Sequence, residues 1–402
     1  MSEAPTVHSL NPYLADSGRE FVTLDLLQKV VRPTDGPVLY LRVKNPGRFE
    51  RDATFAEGGA AAVGALATPG ATLFIDCSGE GPVFREGLAA RFDALADATG
   101  IPQDRMVFLQ TNAVFFRDFL ESRTASAASK RVRDMFGHHY AIETFRTAIN
   151  EGWPARGHAN VEAPAEGRRI ALCLNASPRG HRTMLAYLMA KRRRRDKVIL
   201  TFRTEVQRKI SADHARAMLR PFADAFSRDT DEVLETLANA PVHASAFEAA
   251  QSYDLAFSLE PELYEQTLLS VVTETEMSNG QVDRFSEKPL KAFAMGHPVI
   301  VFGNPFVMAR LKALGFDTFD DILDLSFDTI VPRIHRFRKA VRAVDEALAR
   351  PPGFWRSPEI KARLHANVAL FEGTLARQFE DRVMGEARTL LDTINARTGA
   401  TL

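Results

Sequence analysis

Residues 268–303 read LLSVVTETEMSNGQVDRFSEKPLKAFAMGHPVIVFG, and the pattern in this stretch decides the fold. The run Leu268–Val272 is short, apolar and carries two valines, which predicts a buried strand. Glu274 and Glu276 stand at its end, followed by a polar loop with the turn sequence Ser278-Asn279-Gly280. Ser286 predicts the N-cap of a helix through Met295, with Pro289 tolerated in the first turn and Gly296 at the stop. His297–Phe302 then reads as a second buried strand ending at Gly303. Strand, acidic loop, helix and strand in this order build an open parallel sheet. Ligands bind such sheets at the carboxyl ends of strands and the amino ends of helices, where Glu274, Arg284, Glu287 and Lys288 fall.

That location favours anions. Free N–H groups and the positive end of the helix dipole attract phosphate. Lys288 adds a point charge, and Glu287 can accept from two vicinal hydroxyls such as those of a ribose. A nucleotide carrying a sugar would use all of these. An ordinary βαβ unit with a solvated helix start is the alternative.

A second constellation lies upstream in LNASPRGHRTMLAYLMAKRRRRDK, Leu174–Lys197. A strand ends at Asn175, a turn follows with Pro178 and Gly180, and a helix begins near His181. Arg179 and Arg182 flank that start, where arginine is disfavoured unless something anionic neutralises it. A diphosphate would meet two guanidinium forks there. The run Lys191 to Arg195 fits a helix carboxyl end, where cations complement the dipole, and its alternative is peripheral contact with an anionic membrane surface.

Around these stretches the chain alternates. Pro37–Val43, Ala71–Asp76 and Arg105–Leu109 predict strands, with helical spacing over Val83–Thr99 and Val114–Glu121. Gly152–Gly167 is rich in Gly, Pro and Ala without periodicity and reads as an interdomain linker. Arg169–Leu174 and Val198–Phe202 are further strands, Ala212–Ala240 is largely helical, and Leu255–Leu259 is a candidate strand. From Val331 the chain is helical, interrupted at Pro351–Trp355, with one long helix to about Asn395. The expected fold is α/β, with two Rossmann-like domains facing a cleft and carboxy-terminal helices packing back on them. Residues 1–165 form the amino-terminal domain, 166–335 the second, and 336–402 the helices.

A chain of 402 residues suits two cores better than one. Fifty-one basic side chains balance 51 acidic ones, which argues against a general nucleic-acid binder. Cys77 and Cys173 sit in apolar runs as buried thiols. The polar amino terminus holds no signal-peptide core, so a reducing cytoplasm is expected. Asp229-Thr230-Asp231 spells a metal-binding Asp-x-Asp, but acids opening a helix need no metal. Gly79-x-Gly81 fails as a dinucleotide fingerprint because Phe84 takes the third glycine's place. No metal and no cofactor are expected.

The stretch FSEKPLKAFAMGHPVIVFGNP (285–305) resembles family 10 fucosyltransferases and related bacterial and phage transferases of the GT-B type. It is similar to their threonine-glutamate-lysine, helix and Pro-Val strand signature, with Ser286 in the threonine's place. ALCLNASPRGHR (171–182) and KARLHANVALF (361–371) are similar to two further elements of that group, so the resemblance spans Ile170 to Phe371. It implies a metal-independent glycosyltransferase that moves a sugar from a nucleotide-sugar, which is a substrate, to a glycan, lipid-linked or protein acceptor.

In that reading Glu287 holds the ribose, Lys288 and Arg179 meet the diphosphate, and Glu274 faces the donor sugar. Asn175, Arg182, Arg284 and Ser286 complete the nucleotide-sugar site. The family's Phe-Glu-Asn-Ser is here VTETE, so Glu276 is the alternative to Glu274 and the donor sugar stays open. An inverting transfer also needs a base from the amino domain, with Asp76, Glu80 and His138 as candidates. The rival is a non-catalytic nucleotide or carbohydrate binder, or an interaction protein, on the same scaffold.

Overall fold

The computed structural model describes residues 7–9, 22–43, 70–78, 86–175, 178–202, 211–239 and 258–399, without the side chains of 9, 86, 139–140, 192–193 and 398–399. The chain divides into two compact units, Met1–Glu143 with Arg377–Leu402, and Thr144–Ala376.

The first unit holds β1 (Val7–Ser9), β2 (Val38–Arg42), β3 (Thr72–Asp76), β4 (Met106–Gln110) and β5 (Arg133–Phe136), all parallel and in sequence order. Its helices are α1 (Val22–Val30), α2 (Glu86–Thr99) and α3 (Phe115–Glu121). Runs such as VLYLR and TLFID are apolar almost throughout because both faces of these strands are covered. Leu39, Leu41, Leu73, Ile75 and Phe108 alternate onto one face and pack with Leu88, Phe92 and Phe119. Phe92 meets Phe108 and Phe119 edge-on.

Helix α4 (His139–Asn150) carries the chain into the second unit, where α5 (Trp153–Glu162) precedes the sheet. The strands are β6 (Arg169–Asn175), β7 (Val198–Phe202), β8 (Thr267–Thr273) and β9 (Val299–Phe302). They are parallel in the order β7-β6-β8-β9, with Ala171 opposite Leu269 and Ser270 opposite Val299. Between β6 and β7 lie α6 (Gly180–Ala190) and α7 (Arg192–Arg195). Helices α8 (Ala212–Asp224), α9 (Thr230–Ala238) and α10 (Pro261–Glu265) precede β8, and α11 (Glu287–Ala294) joins β8 to β9. Then come α12 (Val307–Ala313), α13 (Arg333–Ala349) and α14 (Pro358–Glu372). The chain leaves β6 toward β7 on one side and β8 toward β9 on the other. The topological switch point therefore lies between the carboxyl ends of β6 and β8.

Helix α15 (Leu375–Gly399) crosses back, and from Arg377 it belongs to the first unit. Arg388 grips the carboxylate of Asp35 at 2.6 and 2.7 Å, and Glu386 accepts from the Phe136 N–H at 3.3 Å.

Gly152–Gly167 departs from expectation: most of it is helix α5, not linker. Pro154 fits the first turn of a helix, and Trp153 and Val161 are buried. Gly157 is there for close approach, since a Cβ would meet the Ala294 carbonyl oxygen at 2.0 Å. Small residues that resemble a flexible joint in sequence mark a tight helix contact here. The stretch Ala212–Ala240 breaks between α8 and α9 where Ser227 takes a φ of 51°. The expected single carboxy-terminal helix is split at Gly373; of the candidate strand Leu255–Leu259, residues 255–257 lie outside the described residues and 258–259 are not strand.

Candidate functional site

The site is built outward from the end of β8. Glu274, 3% exposed, follows the strand, and its Oε1 accepts the Ser286 N–H at 3.0 Å. Ser286 is the N-cap of α11, accepting from the Lys288 N–H, as the sequence predicts from its hydroxyl and position. The carboxylate and the helix start are thus locked together. Gly303, at the end of β9, permits this, because a Cβ there would lie 2.8 Å from Glu274 Cγ.

The main chain at Glu274 is held from the other side by α6. Its carbonyl accepts from Arg182 Nε at 3.1 Å and Nη2 at 2.8 Å, and His181 Nε2 lies 3.0 Å away. Arg182 Nη2 also reaches the Thr273 carbonyl at 3.3 Å. Burial, with Arg182, Arg179 and Arg333 adding, pushes His181 down to about 3. The ring is therefore neutral, and the carbonyl beside Nε2 requires that nitrogen to carry the proton. Arg182 is 5% exposed, and these carbonyls give it a positioning part. Asn175 joins the same strand ends, its Oδ1 accepting from Thr273 Oγ1 at 2.8 Å.

The helix start is strongly charged. Lys288 Nζ is 3.1 Å from Glu287 Oε1 and donates to Ser286 Oγ at 3.1 Å. Burial works to raise the Glu287 pKa, but Lys288 and Lys291 outweigh it and hold the carboxyl below its ordinary value. Lys291, donating to the Ser258 carbonyl at 2.7 Å, is pushed down to about 8 by burial. Arg284 donates to Glu276 Oε1 at 2.5 Å, so both carboxylates are held, Glu276 by Arg284 and Glu274 by the Ser286 N–H.

Arg179 caps α6 through its main chain, and its side chain is exposed, with no hydrogen bond or ion pair among the described residues. The charges of Arg179, Glu274, Glu287 and Glu276 all act on Arg182. Gly180 lets α6 come close to α8, since a Cβ would meet the Met218 carbonyl oxygen at 2.0 Å. The two strands that flank the switch point, β6 and β8, are followed by the helix starts that carry Arg179 and Lys288. Such a place takes an oxyanion.

Three residues absent from the sequence expectations support it. His181 is one. Arg336, 1% exposed, donates to the carbonyls of Gly303 at 3.0 Å, Val331 at 2.7 Å, Ile330 and Ser278, tying β9 to the loop after Glu276. Arg333, at the start of α13, adds a further positive charge that acts on His181. Glu274, Gly303 and Ser278, whose carbonyls His181 and Arg336 hold, lie tens of residues away, so no local pattern marked these two.

Of the candidate bases in the first unit, Asp76 is 1% exposed and accepts from Tyr40 Oη, from the Ser78 N–H at 2.8 Å and from Ser78 Oγ at 2.5 Å. Glu80 lies outside the described residues. His138 is half-buried, edge-on to Phe136 and Phe379. In the basic run, Arg194 binds Asp345 through both nitrogens at 2.6 and 2.7 Å, and Lys191 lies over Tyr187 at 4.2 Å. Arg195 is exposed, and the side chains of Arg192 and Arg193 lie outside the description. Asp229 caps α9 and Asp231 binds Arg216 at 2.7 Å, so both acids of Asp-x-Asp have structural partners. Among the described residues no helix is long and apolar enough to cross a membrane.

No protein-family model matches the chain, and no curated protein matches it significantly. Among solved structures, it is similar to a UDP-forming alpha,alpha-trehalose-phosphate synthase from Burkholderia xenovorans. The identity is 13% and the TM-score 0.43, over 92% of this chain and 77% of that one. A UDP-forming alpha,alpha-trehalose-phosphate synthase from Burkholderia vietnamiensis gives 13% and 0.43 over 95% and 78%, and an alpha,alpha-trehalose 6-phosphate synthase from Burkholderia multivorans 12% and 0.40 over 95% and 76%.

Proposed function

We propose that the protein is a metal-independent glycosyltransferase that takes a nucleotide-sugar in its second unit and passes the sugar to an acceptor hydroxyl. The observation that carries this reading is a fixed carboxylate, Glu274, at the end of β8, with the cations Arg179 and Lys288 at the starts of the helices that follow β6 and β8. In the reaction, the acceptor oxygen bonds to the anomeric carbon. The bond from that carbon to the phosphate oxygen breaks, and its electron pair stays on the departing nucleoside diphosphate. Arg179, Lys288 and the N–H groups opening α6 and α11 stabilise that charge. Glu274 faces the positive charge that develops on the sugar, its free oxygen opposite the one held by Ser286. Glu287 accepts from the ribose hydroxyls. Arg182 and His181 position Glu274 through its carbonyl.

The acceptor's proton goes to a base that the resemblance assigns to the first unit. The saturated hydrogen bonding of Asp76 favours His138 over it. The donor sugar, fucose or another hexose, is set by contacts beyond Glu274.

The test is a thermal-shift screen across nucleoside diphosphates and their sugars, followed by diphosphate release from the best donor with glycan acceptors. Release that depends on acceptor and is lost in Glu274→Gln, with nucleotide binding retained, supports the reading. Stabilisation by nucleotide without release identifies a binder instead.

A further inference from the structure

We infer that Lys291 is a positioning residue of the nucleotide site, the counter-charge that keeps the Glu287 carboxylate ionised once a diphosphate engages Lys288. This role presupposes Glu287 as the ribose ligand, as in the proposed function. Lys291 stands four residues after Glu287 on α11, a spacing that makes the two side chains neighbours on one helix face. Glu287 is 5% exposed and Lys291 7%, so little water screens the pair. Lys291 Nζ donates to the Ser258 carbonyl at 2.7 Å, which anchors the ammonium inside the fold. Lys288 differs. Its side chain is 29% exposed, and its Nζ lies 3.1 Å from Glu287 Oε1. Of the two lysines beside the carboxylate, Lys288 is the one open to a ligand.

Lys288 alone cannot neutralise a carboxylate and a diphosphate at once. A diphosphate at Lys288 acts on Glu287 too, and a like charge favours the protonated form of a buried carboxyl. That form offers fewer acceptor positions to two vicinal hydroxyls. Lys291 opposes the proton from a fixed, enclosed position. Lys288 and Lys291 together already hold the Glu287 carboxyl below its ordinary value against burial. Of the other groups here, Glu151 acts on Lys291, Glu287 and Glu260 act on Tyr264, and the charge of Glu287 reaches Arg182. Arg182, though a cation, is held at the carbonyls of Thr273 and Glu274.

Without Lys291 the Glu287 pKa should rise when the diphosphate binds. A group whose pKa rises on binding takes up a proton between its free and bound values, and affinity then improves as pH falls through that window. Titration calorimetry of the full chain with the nucleoside diphosphate that most stabilises wild type reads this directly. It is run between about pH 5 and pH 7 in buffers of different ionisation enthalpy, which counts the protons taken up. The variants are Lys291→Met, Lys291→Gln, Glu287→Gln and Glu287→Gln with Lys291→Met. Each single Lys291 variant should bind about tenfold more weakly than wild type at pH 7, with the deficit narrowing toward pH 5. Binding to them should draw in about half a proton more than binding to wild type, and the double variant should lose that excess. On the Glu287→Gln background, Lys291→Met should change affinity by less than about threefold. Wild-type affinity in the Lys291 variants, equal proton counts in them and wild type, or an undiminished loss on the Glu287→Gln background would overturn the assignment. So would failure of both Lys291 variants to fold, since the charge would then be serving the structure alone. Wild type that binds no nucleoside diphosphate would overturn the functional reading as well, whereas the other contrary results leave that reading standing.

Discussion

Lys288 and Arg182 separate two ways in which a cation serves the site. Lys288 is partly exposed at a helix start beside Glu287, whereas Arg182 is buried against carbonyls. Ser286, Glu287 and Lys288 were legible because capping and charge at a helix start are local chemistry. His181 and Arg336 were not, since the carbonyls of Glu274, Gly303 and Ser278 that they hold lie far along the chain.

Asp134 illustrates a group that only the fold reveals. Burial first, and Glu386 with it, pushes its pKa up to about 6, although Gln110 donates to it at 3.1 Å. A carboxyl whose folded pKa exceeds the unfolded value stabilises the fold below the unfolded pKa and loses that contribution as pH rises through the folded one. Urea unfolding should therefore show Asp134→Asn gaining about 2 kcal/mol on wild type between pH 4 and pH 7. A difference that stays flat over that window would contradict the assignment.

At the scale of elements, runs such as VILTF and LLSVV mark strands β7 and β8 because both sheet faces are buried. Strand β5, RDMF, and helix α5 escaped, the first for its charges and the second for its glycine and prolines. Close helix contacts explain that second failure and carry a prediction. Gly180 brings the start of α6 against the α8 backbone, where a Cβ has no room beside the Met218 carbonyl. Gly180→Ala should cost about 3 kcal/mol in chemical denaturation. It should also weaken nucleotide binding by shifting Arg179 and Arg182, whereas Gly353→Ala, with open space around it, should do neither. Wild-type stability in Gly180→Ala would show that the helices are not in that contact.

For the whole molecule, the first unit is closed by the last helix of the chain, a pairing across more than 350 positions between Asp35 and Arg388. Burial works to raise the Asp35 pKa, but Arg388 and Arg32 hold it below the ordinary value. That stabilisation is present above the unfolded carboxyl pKa and is lost as pH falls through the folded one. Arg388→Ala should lower first-unit stability by about 2–3 kcal/mol at pH 7, less at acid pH, with nucleotide affinity unchanged. Calorimetric unfolding with and without nucleotide checks this, and a loss of affinity would tie the helix to the site.

The central claim is that Lys288 and Arg179 hold the leaving diphosphate. Titration calorimetry of the nucleoside diphosphate that most stabilises the wild type, repeated on Lys288→Ala and Arg179→Ala, addresses it most directly. The account predicts affinity reduced about tenfold or more in each variant, with unfolding temperatures nearly unchanged. Equal affinity in wild type and both variants would contradict it.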